Sequence, residues 1–238
     1  MFTQLTSLPY LRNWSTRTVH FCLLPLIDLA LLLLIAGQYQ PHLNAVVAVS
    51  SIGLSGFSLA MSAFASLMVT DIDLKIDRVL VVNRPFSWHY WGTKVLVAGG
   101  SGLIMMIINL LFLAGIGLAP RLLWKVVWLS PLLCLSGIIV GFVCVVLAWT
   151  MGNPYFVLNW VMALVPVLSG ATVVLQRYPS WLRSLSDFLP LTHTLGVLHG
   201  SATGWYTDCG VDVVWLGIGL LAFRWQCRSL SRHPQRSW

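Results

Sequence analysis

The chain has 238 residues, 58% of them hydrophobic and only 9% charged, and its mean hydropathy is +0.82. Soluble domains carry about 25% charged residues, so the composition excludes a water-covered globule and points to the bilayer. The net charge of +7 is read as positive-inside topology rather than a nucleic-acid footprint, because no basic run interleaved with aromatics occurs in a polar segment.

Apolar stretches near the ~20 residues that cross a bilayer core recur along the chain and predict an all-α, polytopic membrane protein of about six spans. Residues 1 to 20 set Arg12, Trp14 and Arg17 among apolar positions and read as an interfacial amphipathic segment. The first span is expected at Phe21 to Gly37. It carries Asp28, a functional candidate because it is ionisable within a span, although an interfacial or helix-paired carboxylate fits its position near one end. The second span, Asn44 to Val69, is rich in Ser, Gly and Ala, which lets helices approach closely. Thr70 to Lys94 is the most polar stretch. The third span, Val95 to Leu118, is followed by Pro120, Arg121 and Lys125, then by a fourth at Val126 to Ala148 and a fifth at Phe156 to Leu175.

Residues 176 to 204 are broken by Pro179 and Pro190 into pieces too short to span. They are expected to dip into the membrane and return, which bilayer physics allows only where protein or water covers the backbone. A hairpin lying on the surface fits the same physics. The last span, Trp205 to Phe223, leads into a basic tail, 224 to 238. Arg12, Arg17, Lys75, Arg78, Arg84, Lys94, Arg224, Arg228, Arg232 and Arg236 fall on one side of this arrangement, against Arg121, Lys125, Arg177 and Arg183 on the other. That asymmetry puts both termini in the cytoplasm. Many of the twelve Trp stand at span ends, as aromatic belts require. The five Cys show no disulfide or metal spacing, and no cleavable signal is expected.

Leu168 to Gly200 resembles the outer re-entrant helices of type-2 ABC exporter permeases. A small-residue turn, Ser169-Gly170, leads to a Pro-aromatic-Leu step at Pro179, Trp181 and Leu182. An apolar stretch then ends in Leu189-Pro190-Leu191-Thr192, with His193 next. Asp71 to Lys94 is similar to the coupling-helix region of the same family, with Pro85-Phe86-Ser87 and Gly92-Thr93-Lys94 in the expected order. The chain has no Glu, so Asp71, Asp73 and Asp77 stand where relatives carry glutamates. The resemblance implies one permease domain over residues 1–238. It docks an ATPase through Asp73, Asp77, Arg78, Arg84, Pro85 and Ser87, and gates at Ser169, Gly170, Pro179, Trp181, Pro190, Thr192 and His193.

G-x-x-x-x-G-K-[ST] does not occur, so the resemblance puts ATP and Mg²⁺ on two copies of a separate ATPase subunit. No cofactor or metal is expected on this chain. A second permease, identical or a sister chain, and membrane lipids are the remaining partners. An amphipathic drug, antibiotic, peptide or lipid-like molecule is the expected cargo, moved outward across the cell membrane, bacterial in type.

Two catalytic alternatives arise from the residues. Asp73-x-x-x-Asp77 puts two carboxylates on one helical face, and Asn83-Arg84-Pro85 follows, as in intramembrane prenyltransferases that hold Mg²⁺-diphosphate. Val69-Thr70 stands where that family has Asn-Asp, and Asp187, Asp208 and Asp212 are not spaced as its second Asp-rich loop. Gly53-Leu54-Ser55-Gly56 and His193-x-x-Gly196-x-x-x-Gly200 echo a rhomboid-like protease, which needs a Ser nucleophile beside a His base. Close helix packing explains these glycines more simply. Neither alternative displaces the reading as a transport subunit without enzymatic activity of its own.

Overall fold

The computed structural model describes residues 13–23, 26–27, 30–31, 34, 45–76, 86–117, 120–171, 178–200 and 204–232. Among them every regular element is helical. A short helix α1, Trp14–Thr18, continues as a π-helical turn, Val19–Leu23. There follow α2 (Ala45–Asp73), α3 (Trp88–Gly115), α4 (Pro120–Ala148), α5 (Phe156–Leu168), α6 (Ser180–Ser186), α7 (Thr192–Leu198) and α8 (Gly204–Arg232).

Among the described residues four helices, α2, α3, α4 and α8, are long and apolar enough to cross a membrane, as a multi-pass membrane protein requires. At 1.5 Å per residue, helices of 28 and 29 residues reach about 43 Å, well beyond the ~30 Å hydrocarbon core. Upright helices of that length would reach into the headgroup layers. In place of an expected start at Val95, α3 begins at Trp88, and α2 runs on past Val69 to Asp73. Much of the stretch assigned to a polar loop is thus helix.

The helix at the place of the expected fifth span falls short of the ~20 residues that cross a bilayer core. Instead of reaching Leu175, α5 covers 13 residues and ends at Leu168. Pro166 lies in its last turn, and Gly170 takes φ +70°, the left-handed conformation that closes helices and that glycine adopts without cost. The Ser169 hydroxyl completes the stop by donating to the Pro166 carbonyl and accepting from the Ala171 N–H. Of the expected first span, Asp28 lies outside the described residues.

Glycines decide how the long helices pack. A Cβ on Gly137 would stand 2.4 Å from the Phe57 carbonyl oxygen, and one on Gly141 2.6 Å from that of Met61. The Gly137-x-x-x-Gly141 face of α4 therefore lies directly on the backbone of α2, and the matching order of the two pairs makes these helices parallel. Gly102 of α3 meets the Gly56 carbonyl at 2.9 Å, while Lys94 of α3 reaches Leu67 of α2. This reversed order makes α3 antiparallel. Ser136 with Asp212, and Phe142 with Gly219, run α8 parallel to α4.

The buried core centres on α2 and α4, while α3 and α8 turn apolar faces outward. Pro131 stands inside α4 and cannot bond the Val127 carbonyl four residues back. The Ser130 hydroxyl donates to that carbonyl at 2.8 Å, so the freed acceptor is satisfied and the helix continues.

Candidate functional site

The parallel run of α2, α4 and α8 sorts the polar side chains into two clusters at opposite ends of the bundle. One end holds the close of α2, the start of α3 and the last turns of α4. The other holds α6, α7 and the start of α8.

At the first end Lys94 is fully buried, with 0% of its side chain exposed. Its ammonium donates to Asp71 at 2.8 Å and to the Leu67 carbonyl at 2.6 Å, and it lies 4.9 Å from the centroid of the Tyr90 ring. The Tyr90 hydroxyl donates to the same Asp71 oxygen. A buried charge persists only when paired and hydrogen-bonded, and here the ammonium has a carboxylate, a carbonyl and the Tyr90 ring around it.

At the same end rings from four helices pack together. Trp91 stacks on Phe64 at 6.4 Å and meets Phe142 and Phe223 edge-on at 5.5 and 5.4 Å. Phe223 also packs on Trp149 and Phe86. Of the residues expected to dock a motor, Asp73 is exposed at the last position of α2 and Ser87 is the half-buried N-cap of α3. Asp77, Arg78, Arg84 and Pro85 lie outside the described residues. Asp71, which stands where the resemblance has glutamates, and Lys94, of the Gly-Thr-Lys that opens the third span, pair with each other.

At the second end, the segment expected to be broken forms two short helices joined by a tight link. Pro179 is the N-cap of α6, and Trp181 stands 65% exposed in its first turn. Pro190 is buried in the link, and the Thr192 hydroxyl donates back to the Ser186 carbonyl at 2.9 Å, tying α7 to α6. The Trp215 indole N–H donates to the Phe188 carbonyl at 2.8 Å, fixing the link against α8. The Tyr178 hydroxyl donates to the Val167 carbonyl at 2.6 Å, and burial raises the pKa of its phenol.

Asp208 of α8 is the residue around which this end is organised. Its side chain is 0% exposed. It accepts the backbone N–H of His193 at 3.3 Å, the N–H of Thr194 at 2.5 Å, and His193 Nδ1 at 3.0 Å. The first N–H groups of a helix have no partner within it, so a carboxylate from a neighbouring helix caps α7 and orients the imidazole together. His193 Nε2 faces Asp187 at 3.4 Å. One turn below Asp208, Asp212 accepts the Ser136 hydroxyl of α4 at 2.6 Å. Its other oxygen is buried and has no hydrogen-bond partner among the described residues.

No family model, curated protein or solved structure matches this chain. The chemistry of the two clusters therefore has to speak for itself. Both ring nitrogens of His193 face aspartates, whereas a protease pair would turn one toward Ser55. Ser55 stands half-buried within α2. Sequence reasoning named His193 as part of a gate, set Asp208 and Asp212 aside as wrongly spaced for a second Asp-rich loop, and missed Ser136. The available signal was the four-residue spacing of the two aspartates inside a membrane span, where ionisable groups are rare.

Proposed function

We propose that this chain is the membrane subunit of an ATP-driven exporter of the type-2 ABC permease kind, working beside a second permease and a separate ATPase. The observation that carries the reading is the short helical pair α6–α7, which follows α5 and precedes α8 in the chain, is tied together by Thr192 and is held against α8 by Trp215 and Asp208. This is the arrangement that the resemblance of Leu168 to Gly200 implies for an outer gate. The close of α2 and the start of α3 lie at the far end of the bundle, where a cytoplasmic motor would dock.

In this reading the loop between α2 and α3 receives the push of ATPase closure. The Lys94–Asp71 pair and the surrounding rings transmit it as a rigid unit to α8, through the contacts of Phe223 with Trp91 and Trp149. At the other end α8 carries Asp208, so a shift of this helix moves α7 and opens a path beside it. The predominantly apolar spans suit an amphipathic drug, antibiotic, peptide or lipid-like cargo.

The test is purification of the tagged chain in mild detergent from its own cells, followed by mass spectrometry of what accompanies it. A P-loop ATPase in near-stoichiometric amount is the expected result. In the reconstituted complex, Arg84→Ala should leave ATP hydrolysis running while export falls by about tenfold or more. Absence of any ATPase from the purified complex, or unimpaired export by this variant, would remove the reading.

A further inference from the structure

Four titratable side chains run inward from the α6–α7 end, from an exposed one to two buried ones. Asp187 is 54% exposed, His193 27% and Asp208 0% at the side chain, while Asp212 is 5% exposed. Successive gaps are 3.4 Å from Asp187 to His193 Nε2 and 3.0 Å from His193 Nδ1 to Asp208. Asp212 then follows one turn along the same face of α8. At the inner end one buried polar atom, Asp212 Oδ1, has no partner among the described residues. Native interiors pair such atoms with protein, water or a bound group.

We infer that Asp212 is a proton-binding site within the bundle, connected to the α6–α7 surface through Asp208, His193 and Asp187. An added proton on Asp212 Oδ1 turns an unpartnered acceptor into a donor, and removes a charge whose other oxygen has one hydroxyl for company. Histidine suits the intermediate position because its two nitrogens face opposite ways. A proton arriving at Nε2 from the Asp187 side gives imidazolium. The Nδ1 proton then leaves for Asp208, so the ring is again neutral but its tautomer has switched from Nδ1–H to Nε2–H, and return to Nδ1–H readies it for the next proton. Transfer from Asp208 to Asp212, one turn along α8, completes the inward movement.

The groups around the pair do not oppose this. From α4 the pair is faced by the neutral Ser136, and the cations of that helix, Arg121 and Lys125, are exposed. On α8 itself Cys209 lies between the two aspartates, and α7 contributes His193 and, at its far end, His199. Among the described residues no three His, Cys, Asp or Glu side chains converge as a metal cage, which favours a proton over a divalent ion. The structural alternative is that Asp208 merely caps α7. That role accounts for Asp208, but neither for the unpartnered oxygen of Asp212 nor for the exposed histidine nitrogen turned toward a surface carboxylate. The site is independent of whether ATP drives the chain.

The experiment is infrared difference spectroscopy of the purified full chain in lipid nanodiscs, stepped between about pH 5 and pH 8, the range histidine relays serve. A protonated-carboxyl band should appear and vanish with pH, disappear in Asp212→Asn, and return at a shifted frequency in Asp212→Glu. After a light-triggered proton pulse, His193→Gln should slow its rise by roughly 100-fold and leave its final amplitude unchanged. A capping role alone would not alter that rate. The wild-type titration needs no variant, so a chain with no titrating carboxyl band overturns the inference even where Asp212→Asn fails to fold. A band that persists in Asp212→Asn, or an unaltered rate in His193→Gln, also overturns it. So does a band that shifts when Na⁺ replaces choline, which would make this a cation site.

Discussion

His199 ends α7 with Nε2 buried and, among the described residues, without a hydrogen-bond partner. Burial lowers its pKa from the ordinary value, and the sign of the consequence follows. Above about pH 6.5 the ring is neutral in both folded and unfolded chains and no stability is lost. Below it the unfolded ring takes up a proton that the folded one resists, so the folded state weakens as pH falls. Heat unfolding in detergent, followed by tryptophan fluorescence, should show a midpoint that drops below that pH. The drop should be smaller in His199→Asn.

Lys94 offers a second residue-scale test. Asp71→Asn leaves a buried ammonium without its counter-charge and should cost about 3 kcal/mol. Lys94→Met with Asp71→Asn should recover most of that, and a double variant no more stable than Asp71→Asn would argue against the pair. Lys75, just past the end of α2, holds φ +56°, where a side chain is strained by about 1–2 kcal/mol. Lys75→Gly should therefore stabilise the chain. The pairing of Lys94 was not legible in the sequence. Charge counting assigns every cation to a membrane face, and only the packing of α3 on α2 reveals one turned inward.

At the scale of elements, the long spans were readable because each apolar run outlasts the membrane and one period suffices to make a helix of it. Their ends were not. Asp71 to Asp73 and Trp88 to Lys94 look like loop by polarity, yet Tyr90, Lys94 and the Trp91 rings satisfy those positions within helices. The shortness of α5 was written at Pro166 and Ser169-Gly170, but a hydropathy window averages across them. The glycines of α4 give a sharp prediction. Gly137→Ala drives a methyl group into the α2 backbone and should lower stability by about 1–3 kcal/mol. Gly217→Ala meets nothing within 4 Å and should be neutral or stabilising by up to about 1 kcal/mol. Thermal exposure of the buried thiols Cys134 and Cys144 to a fluorogenic maleimide reads both. Equal effects would mean that α2 and α4 do not meet where these glycines stand.

For the whole molecule, the separation of the two polar ends is the organising fact. Single cysteines at the exposed positions Asp73 and Ser184, introduced into a cysteine-free chain, should label from opposite faces of a sealed vesicle. Labelling from one face would contradict the helix directions. Helix α8 is fastened differently at its two extremities. Near its start it is held by carboxylates and a histidine, whose grip changes when hydrogen ions come and go. Near its finish it is held by interlocked rings, indifferent to acidity and governed only by shape. A rod clamped by such unlike fastenings answers acidity at one extremity alone, so any movement that hydrogen ions bring about belongs to the α6–α7 side, with the aromatic knot as its fixed point.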